Sequence, residues 1–395
     1  MAGPAAAGPL NAAVRIGPAR DADRFAYRLA RPADDAGVRR LLRENPFEGA
    51  IRLSLECEPN AMAAAVIYGR VHQMLVAEDR RTGAIVATAC RAERDLFVNG
   101  RAQRLGYLGQ LRVDARVRRQ RRLLADGFAF CRTLHDDARV PAYLVSIVED
   151  NWPARRLLSS GRIPNQPAFT PLEPLVTFAL PAARGIFSGA PLLARGGIER
   201  GRAELRVEIG ECLQRYGARH QMSPVWTAGD LASPAYTPGL SVDDFLVMRR
   251  GGRVTACAAC WDQRAIKQAV VRGYSPAFTR GRILMNLAGP LTGAPYLPRV
   301  GSPLSFAFLS HLAADEEHAD GFVHLVDAAL ATARQKGVQY LVLGLAARHP
   351  LAAVIARRFR HRRYVSQLYL AHWPDGDGFV RWLDGRVPHP EVAVL

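Results

Sequence analysis

Lysine is nearly missing from this chain: of its 53 basic residues only Lys267 and Lys336 are lysines, and the rest are arginines. The formal net charge of +17 on 395 residues therefore rests on guanidinium groups, which stay protonated and match phosphate oxygens in bidentate fashion. Long apolar runs are missing too. None approaches the roughly 18 residues of a membrane helix, so no membrane span is expected. Cysteine is sparse and scattered (Cys57, Cys90, Cys131, Cys212, Cys257 and Cys260), and a chain of this length needs no disulfide staples; a reducing, cytoplasmic setting is expected. Cys257 and Cys260 share a CxxC spacing inside an apolar run without a second pair, which reads as core. The ten histidines show no paired metal spacing, and His311, His318 and His324 follow no period, so no metal is expected. Residues 1–23 are rich in Ala, Gly and Pro without a continuous apolar stretch, and read as a flexible tail rather than a signal peptide.

What is present is 49% hydrophobic, 23% charged globular material, long enough for two domains. Its charge favours anionic partners: phosphorylated cofactors, an acidic acyl carrier protein, nucleic acid. Specific nucleic-acid reading is not expected, because no basic helix with base-reading side chains, no aromatic-studded sheet motif and no zinc finger is found.

The most informative stretch is 111–124. An apolar strand ending in Leu111, Arg112 and Val113 runs into the turn Arg118, Arg119, Gln120, Arg121, Arg122 and Leu123, which opens a helix. Unpaired amides at a helix N-terminus, with the positive end of the helix dipole behind them, attract an anion, and the arginines add fixed positive charge.

Hydrophobic periodicity predicts helices at 34–43 and 60–69, a hairpin over 74–77 and 84–90, and a strand at 105–113. There follow a helix with Leu124, Phe128, Cys131 and Leu134 on one face, a strand at 143–148, a helix at 153–160 and a strand at 175–180. Residues 182–202 read as a linker rich in glycine. The plan then repeats: a helix at 205–216, a hairpin over 245–257 turning at Gly251 and Gly252, a strand at 304–309, helix 322–335, strand 340–343, helix 351–360 and strand 364–372. The expected organisation is a tail (1–23), an N-terminal domain (24–181), a linker (182–202) and a duplicated C-terminal domain (203–395).

This order, with its strand, basic turn and helix at the centre, resembles the GCN5-related N-acetyltransferase (GNAT) superfamily over residues 24–384. The resemblance implies an α/β fold of two tandem GNAT-like domains, each a mixed, mostly antiparallel central sheet flanked by helices. Tandem members such as mycothiol synthase and N-myristoyltransferase are the architectural parallels. In the family, the turn has the pattern Arg/Gln-x-x-Gly-x-Gly/Ala and its amides hold the pyrophosphate of acetyl-CoA. Arg118 to Leu123 match, with Arg121 and Leu123 in place of the small residues. A second family stretch, Asn-x-x-Ala-x-x-Leu-Tyr, is matched by Asn151, Ala154 and Leu157, with Leu158 where the family has tyrosine.

The resemblance implies an N-acyltransferase, by expectation an N-acetyltransferase, moving an acyl group from acetyl-CoA or another acyl-CoA to a small-molecule or peptide amine. Leu111, Arg112 and Val113 would hold the pantetheine arm by main-chain bonds, residues 118–123 the pyrophosphate, and Asn151 would face the cofactor. Glu149 is the candidate base, with Tyr107 a replacement for the missing phenol. Glu93, between Arg91 and Arg94, reads instead as a surface ion-pair member. Arg52, Glu56 and Glu58, between the first two helices, are candidate acceptor contacts. The acidic stretch 313–321 stands where a second pyrophosphate would lie, and repulsion argues against a donor there. His349, in the place of Asn151, reads as a helix start before Pro350. Loss of both small residues and of the tyrosine leaves a second expectation open, a catalytically inactive acyl-CoA- or metabolite-binding sensor.

Overall fold

The computed structural model describes residues 24–182, 197–292, 296–315 and 319–395. The expected tail, and residues 183–196 of the expected linker, lie outside them.

The first half runs β1 (Phe25–Leu29), α1 (Asp35–Glu44), β2 (Ile51–Glu56), α2 (Ala61–Ala64), β3 (Val71–Asp79), β4 (Ala84–Val98), β5 (Arg101–Val113), α3 (Arg121–His135), β6 (Tyr143–Val148), α4 (Trp152–Leu158) and β7 (Ala168–Pro181). The second comprises β8 (Ile198–Arg200), α5 (Arg206–Gly217), β9 (Ser223–Pro224), α6 (Ala228–Ala232), β10 (Phe245–Arg250), β11 (Arg253–Trp261), β12 (Gln268–Tyr274), α7 (Pro276–Thr292), β13 (Phe306–Ala314), α8 (Ala319–Gln335), β14 (Tyr340–Ala346), α9 (Pro350–Arg358), β15 (Arg362–His372) and α10 (Asp377–Trp382).

Apolar spacing explains the helices that were expected. Val38, Leu41 and Leu42 are the buried face of α1, and Ile209, Cys212, Leu213 and Tyr216 that of α5. Other elements depart from the sequence reading. β1 and β2 are strands where none was expected. The helix expected over 60–69 is one α-turn capped by Asn60 and followed by a 3₁₀ turn to Tyr68. β12 and α7 are additional elements.

The main sheet has the order β1-β3-β4-β5-β6-β15-β7-β14-β13-β11-β10-β8, with β9 added to β4; β12 pairs with β2 in a small second sheet. The halves are related by position: β1, β3, β4, β5 and β6 on one side answer β8, β10, β11, β13 and β14 on the other. At the centre the last strand of each half has crossed over. β15 lies antiparallel between β6 and β7, and β7 lies antiparallel to β14 over Leu175–Pro181. Among the strand pairs of the described residues, β5 with β6 and β13 with β14 are the parallel ones, so the sheet is mixed and mostly antiparallel. Large apolar clusters fill the space under it, one joining Tyr68 and Tyr107 of the first half to Tyr216, Trp226 and Trp261 of the second.

All six cysteines are buried free thiols, Cys257 and Cys260 included. Among the described residues no helix is long and apolar enough to cross a membrane.

Candidate active site

β5 and β6 pair at only two positions, Gly106 with Tyr143 and Tyr107 with Leu144, and then diverge. Just beyond, β5 carries a bulge: Thr88 faces Arg112 and Cys90 faces Gly109, so one residue of β4 is opposed by Gln110 and Leu111, and Gln110 takes φ +57°. The pairing leaves a V-shaped gap whose wall is the stretch of β5 ending in Leu111, Arg112 and Val113. Such an edge offers main-chain donors and acceptors to an extended ligand.

At the mouth of the gap lies the basic turn. Val117 and Arg118 donate their amides to the Asp114 carbonyl, and Gln120 to that of Val117. Gln120 is the N-cap of α3 and its side chain caps nothing, so the amides of Arg121 and Arg122 have no intrahelical acceptor. Leu123 is 2% exposed and packs beneath the turn with Ala77, Val86, Ala87 and Val117, while its carbonyl accepts the Tyr27 hydroxyl at 2.7 Å. The large residue at the second small-residue position is thus directed into the core and anchors the turn. Arg118, Arg119, Gln120 and Arg122 are exposed, and those three arginines make no ion pair among the described residues. The turn fits an anion.

At the apex of the gap, Gly106 and Tyr107 line a small cavity with Tyr68, Arg94, Leu144, Met222, Glu391 and Leu395. It lies between the halves. Tyr107 stacks on Tyr68 with ring centroids 5.3 Å apart, and burial raises both phenols above their ordinary range, so both keep their protons. Arg94 lies over the Trp226 ring and donates to the Ile67 carbonyl, and burial lowers it to about 10. The Glu391 carboxylate accepts the amides of His311 at 2.7 Å and Ala393 at 3.3 Å, yet burial pushes it up to about 7. The Tyr68 hydroxyl and Arg94 Nη1 are buried without hydrogen-bond partners. Buried polar atoms are ordinarily paired, so these two mark where ligand atoms or water belong.

The other expected residues are more dispersed. Glu149 is exposed, 3.7 Å from Arg155. Asn151 caps α4, its side chain accepting the Ala154 amide at 3.4 Å. His349 caps α9 in the matching position. Arg52 and Glu56 lie on β2, which pairs with β12 of the second half. Arg52 pairs with Glu48; Glu56 is buried against Arg272 and Ser54; Glu58 pairs with Arg39 at 2.5 Å and Arg43 at 2.7 Å. Glu93 is not at the surface: it is 1% exposed, with Oε1 3.2 Å from the equally buried Arg91. Arg91 is drawn inward by Tyr143, Gln73 and Asp137, and Glu93 follows as its countercharge. Asp315, the first carboxylate of the acidic stretch, pairs with Arg253 at 3.1 Å; residues 316–318 lie outside the described residues. Arg94 and Glu391 were not singled out by sequence, since neither stands in a motif. Among the described residues no cluster is placed to hold a metal ion.

A split parallel pair, a bulge beside the split and a helix opening onto it, repeated in reduced form in the second half, define the fold. Solved structures of Saccharomyces cerevisiae N-myristoyltransferase share it. One with bound myristoyl-CoA has a TM-score of 0.57 and 13% identity over 88% of this chain and 83% of that chain. A second, also with myristoyl-CoA, gives 0.59 and 13% over 89% and 79%; a third, with myristoyl-CoA and inhibitors, 0.57 and 12% over 89% and 80%. No family model and no curated protein sequence matches the chain.

Proposed function

We propose that the chain is an acyl-CoA-dependent N-acyltransferase with its reacting centre at the β5–β6 gap. The observation that carries this reading is the arrest of parallel pairing after Tyr107 and Leu144, which leaves a strand edge leading from an arginine-rich helix N-terminus to a buried polar cavity. The donor's pyrophosphate sits on the amides of residues 119–122 and the guanidinium groups of Arg118, Arg119 and Arg122. Its pantetheine arm runs along Leu111, Arg112 and Val113, past Asn151.

Internal symmetry supplies support. In the second half the corresponding bulge residue, His311, donates its amide to a carboxylate oxygen of Glu391. The Gln110 amide holds the thioester carbonyl oxygen in the same manner and stabilises its developing negative charge.

The acceptor is an amine bearing a neighbouring carbonyl or carboxylate oxygen, as a peptide N-terminus or an amino acid does, with that oxygen on Arg94. Glu391 takes the amine proton as nitrogen attacks; the C–S bond breaks, and the departing thiolate recovers a proton from the Glu391 carboxyl or solvent. A base titrating near 7 suits an amine of this class. Glu149, exposed at the far end of β6, supports this role less well. Leu96, Leu105, Leu144 and Met222 wall the cavity, which favours acetyl or another short acyl group.

Isothermal titration with CoA, acetyl-CoA and myristoyl-CoA, followed by thiol release with a panel of peptides and amino acids, tests the reading. Binding at micromolar Kd with turnover is expected. Absence of binding by every thioester would overturn it, and tight binding without turnover would identify a sensor instead.

A further inference from the structure

Helix α7 is built inside out. Two of its polar residues turn inward: Asn286 exchanges two hydrogen bonds with the backbone of Leu297, at 2.8 and 3.0 Å, and Arg282 reaches the carbonyls of Leu297 and Pro298. Its apolar residues face solvent, with Ile283 at 64%, Leu284 at 71%, Leu287 at 71% and Leu291 at 62% exposure. Ile283, Leu287 and Leu291 recur every four residues and form one stripe roughly 12 Å long. Tyr296 and Val300, on the segment that Asn286 holds against the helix, extend the patch. Contiguous exposed apolar surface of this kind marks an interaction site.

Charge decides what covers it. From Gln263 to Ala314 the chain contains no aspartate or glutamate, yet holds Arg264, Lys267, Arg272, Arg280, Arg282 and Arg299. Arg264 and Arg272 are neutralised by Asp262 and Glu56, and Lys267 is buried. Arg280, Arg282 and Arg299, which flank the apolar stripe, make no ion pair among the described residues. A second copy laid on this face would bring like charges together, and residues 263–314 supply no carboxylate to separate them. A surface of phosphate headgroups over hydrocarbon complements both features at once.

We infer that α7, with the segment 296–300, docks on an anionic lipid bilayer. The helix lies in the interfacial plane, its leucines and Ile283 in the outermost acyl region, its arginines on lipid phosphates and Tyr296 at the boundary. This inference is independent of the acyl-transfer reading, because α7 contributes nothing to the gap or the cavity.

The test is sedimentation of the full chain with large unilamellar vesicles of phosphatidylcholine alone or mixed 70:30 with phosphatidylglycerol, the proportions set at roughly those of anionic cell membranes. Binding to the mixed vesicles, weakened at high salt, and little binding to phosphatidylcholine are expected. Arg280→Glu with Arg299→Glu should lower the partition coefficient more than about ten-fold, at roughly five-fold per lost arginine. Leu284→Glu with Leu287→Glu should abolish binding with CoA affinity and thermal stability unchanged, since both side chains are exposed. Equal binding by these variants, or no vesicle binding by the parent, would overturn the inference. So would a dimer in solution that Leu284→Glu and Leu287→Glu dissociate, because the face would then belong to a second copy.

Discussion

Gln110 and His311 occupy the same position in the two halves of the sheet. Each follows the last parallel-paired residue of its strand by three, each sits in a bulge, and each has positive φ, 57° and 50°. Their surroundings differ. The second gap is filled by the chain itself: Glu391 binds the His311 amide, and the turn Val392–Val394 follows against β13 and β14. The first has no comparable plug among the described residues. On the proposed reading, the first gap takes the ligand and the second serves as a mount for Glu391.

If Glu391 is the proton acceptor, kcat/KM rises with pH and levels off above about 7, the value to which burial pushes its carboxyl. Glu391→Gln should lower kcat by about 10² or more and remove that rising limb. A pH–rate profile of both proteins on one peptide substrate checks this, and an unchanged limb in the variant assigns it to another group.

Reversing charge at the turn should act on the donor alone. Arg118→Glu, Arg119→Glu and Arg122→Glu together should raise the Kd for CoA by about ten-fold or more, since one charge-assisted hydrogen bond is worth roughly 1.5–3 kcal/mol. The three side chains are exposed, so the melting temperature should hold. Calorimetric titration gives the first quantity and thermal denaturation the second.

Acid should destabilise the protein early. Burial holds His311 at about 3 and His349 at about 4, and His389 well below its usual range. His349 accepts the Leu351 amide on Nδ1, so its neutral ring donates from Nε2 to the Tyr216 hydroxyl, 2.7 Å away. Folded pKa values below the unfolded 6.5 mean that the unfolded chain binds more protons, so stability is complete above about 6.5 and is lost as pH falls toward 4. Glu391, raised from 4.5, works in the opposite sense and loses stability as pH rises to about 7. With three groups against one, a fall in Tm of roughly 5 °C or more is expected between pH 7 and 5. A flat Tm over that range would contradict it.

Gly106 fixes the apex. A Cβ there would stand 2.1 Å from the Tyr143 ring, and the Tyr143 hydroxyl in turn holds Arg91 at 2.9 Å and His135 at 3.0 Å. Gly106→Ala should cost about 2 kcal/mol or more, with the loss visible in denaturant melts. Gly83→Ala, which meets nothing within 4 Å but has φ +69°, should cost only about 1 kcal/mol.

The central unit was legible because it is local. Continuous apolar runs marked β5 and β6, a 3.6-residue period marked α3, and the arginine density between them marked the turn. What escaped depends on distant partners. The pairing of β15 with β6 joins residues about two hundred positions apart and leaves no short-range trace. Glu93 looked like a surface charge because its neighbours are arginines, yet Arg91 is interior. Arg94 and Glu391 face one cavity from the two halves. Neither belongs to a motif, and only tertiary structure places them on one cavity. α7 escaped for the opposite reason, since Ile283, Leu284, Leu287 and Leu291 face water while Arg282 and Asn286 bond to the protein.

The crossing of β7 and β15 has a consequence for biosynthesis. A ribosome that has finished β7 has made a first half whose sixth strand still lacks its neighbour, and that vacancy stays open until some 190 further residues have emerged. An exposed strand edge held for that long invites wrong partners. Residues 24–182 made alone should therefore precipitate or recruit chaperones, and should be rescued by co-expression with 197–395, a complementation that solubility and CoA binding would register together.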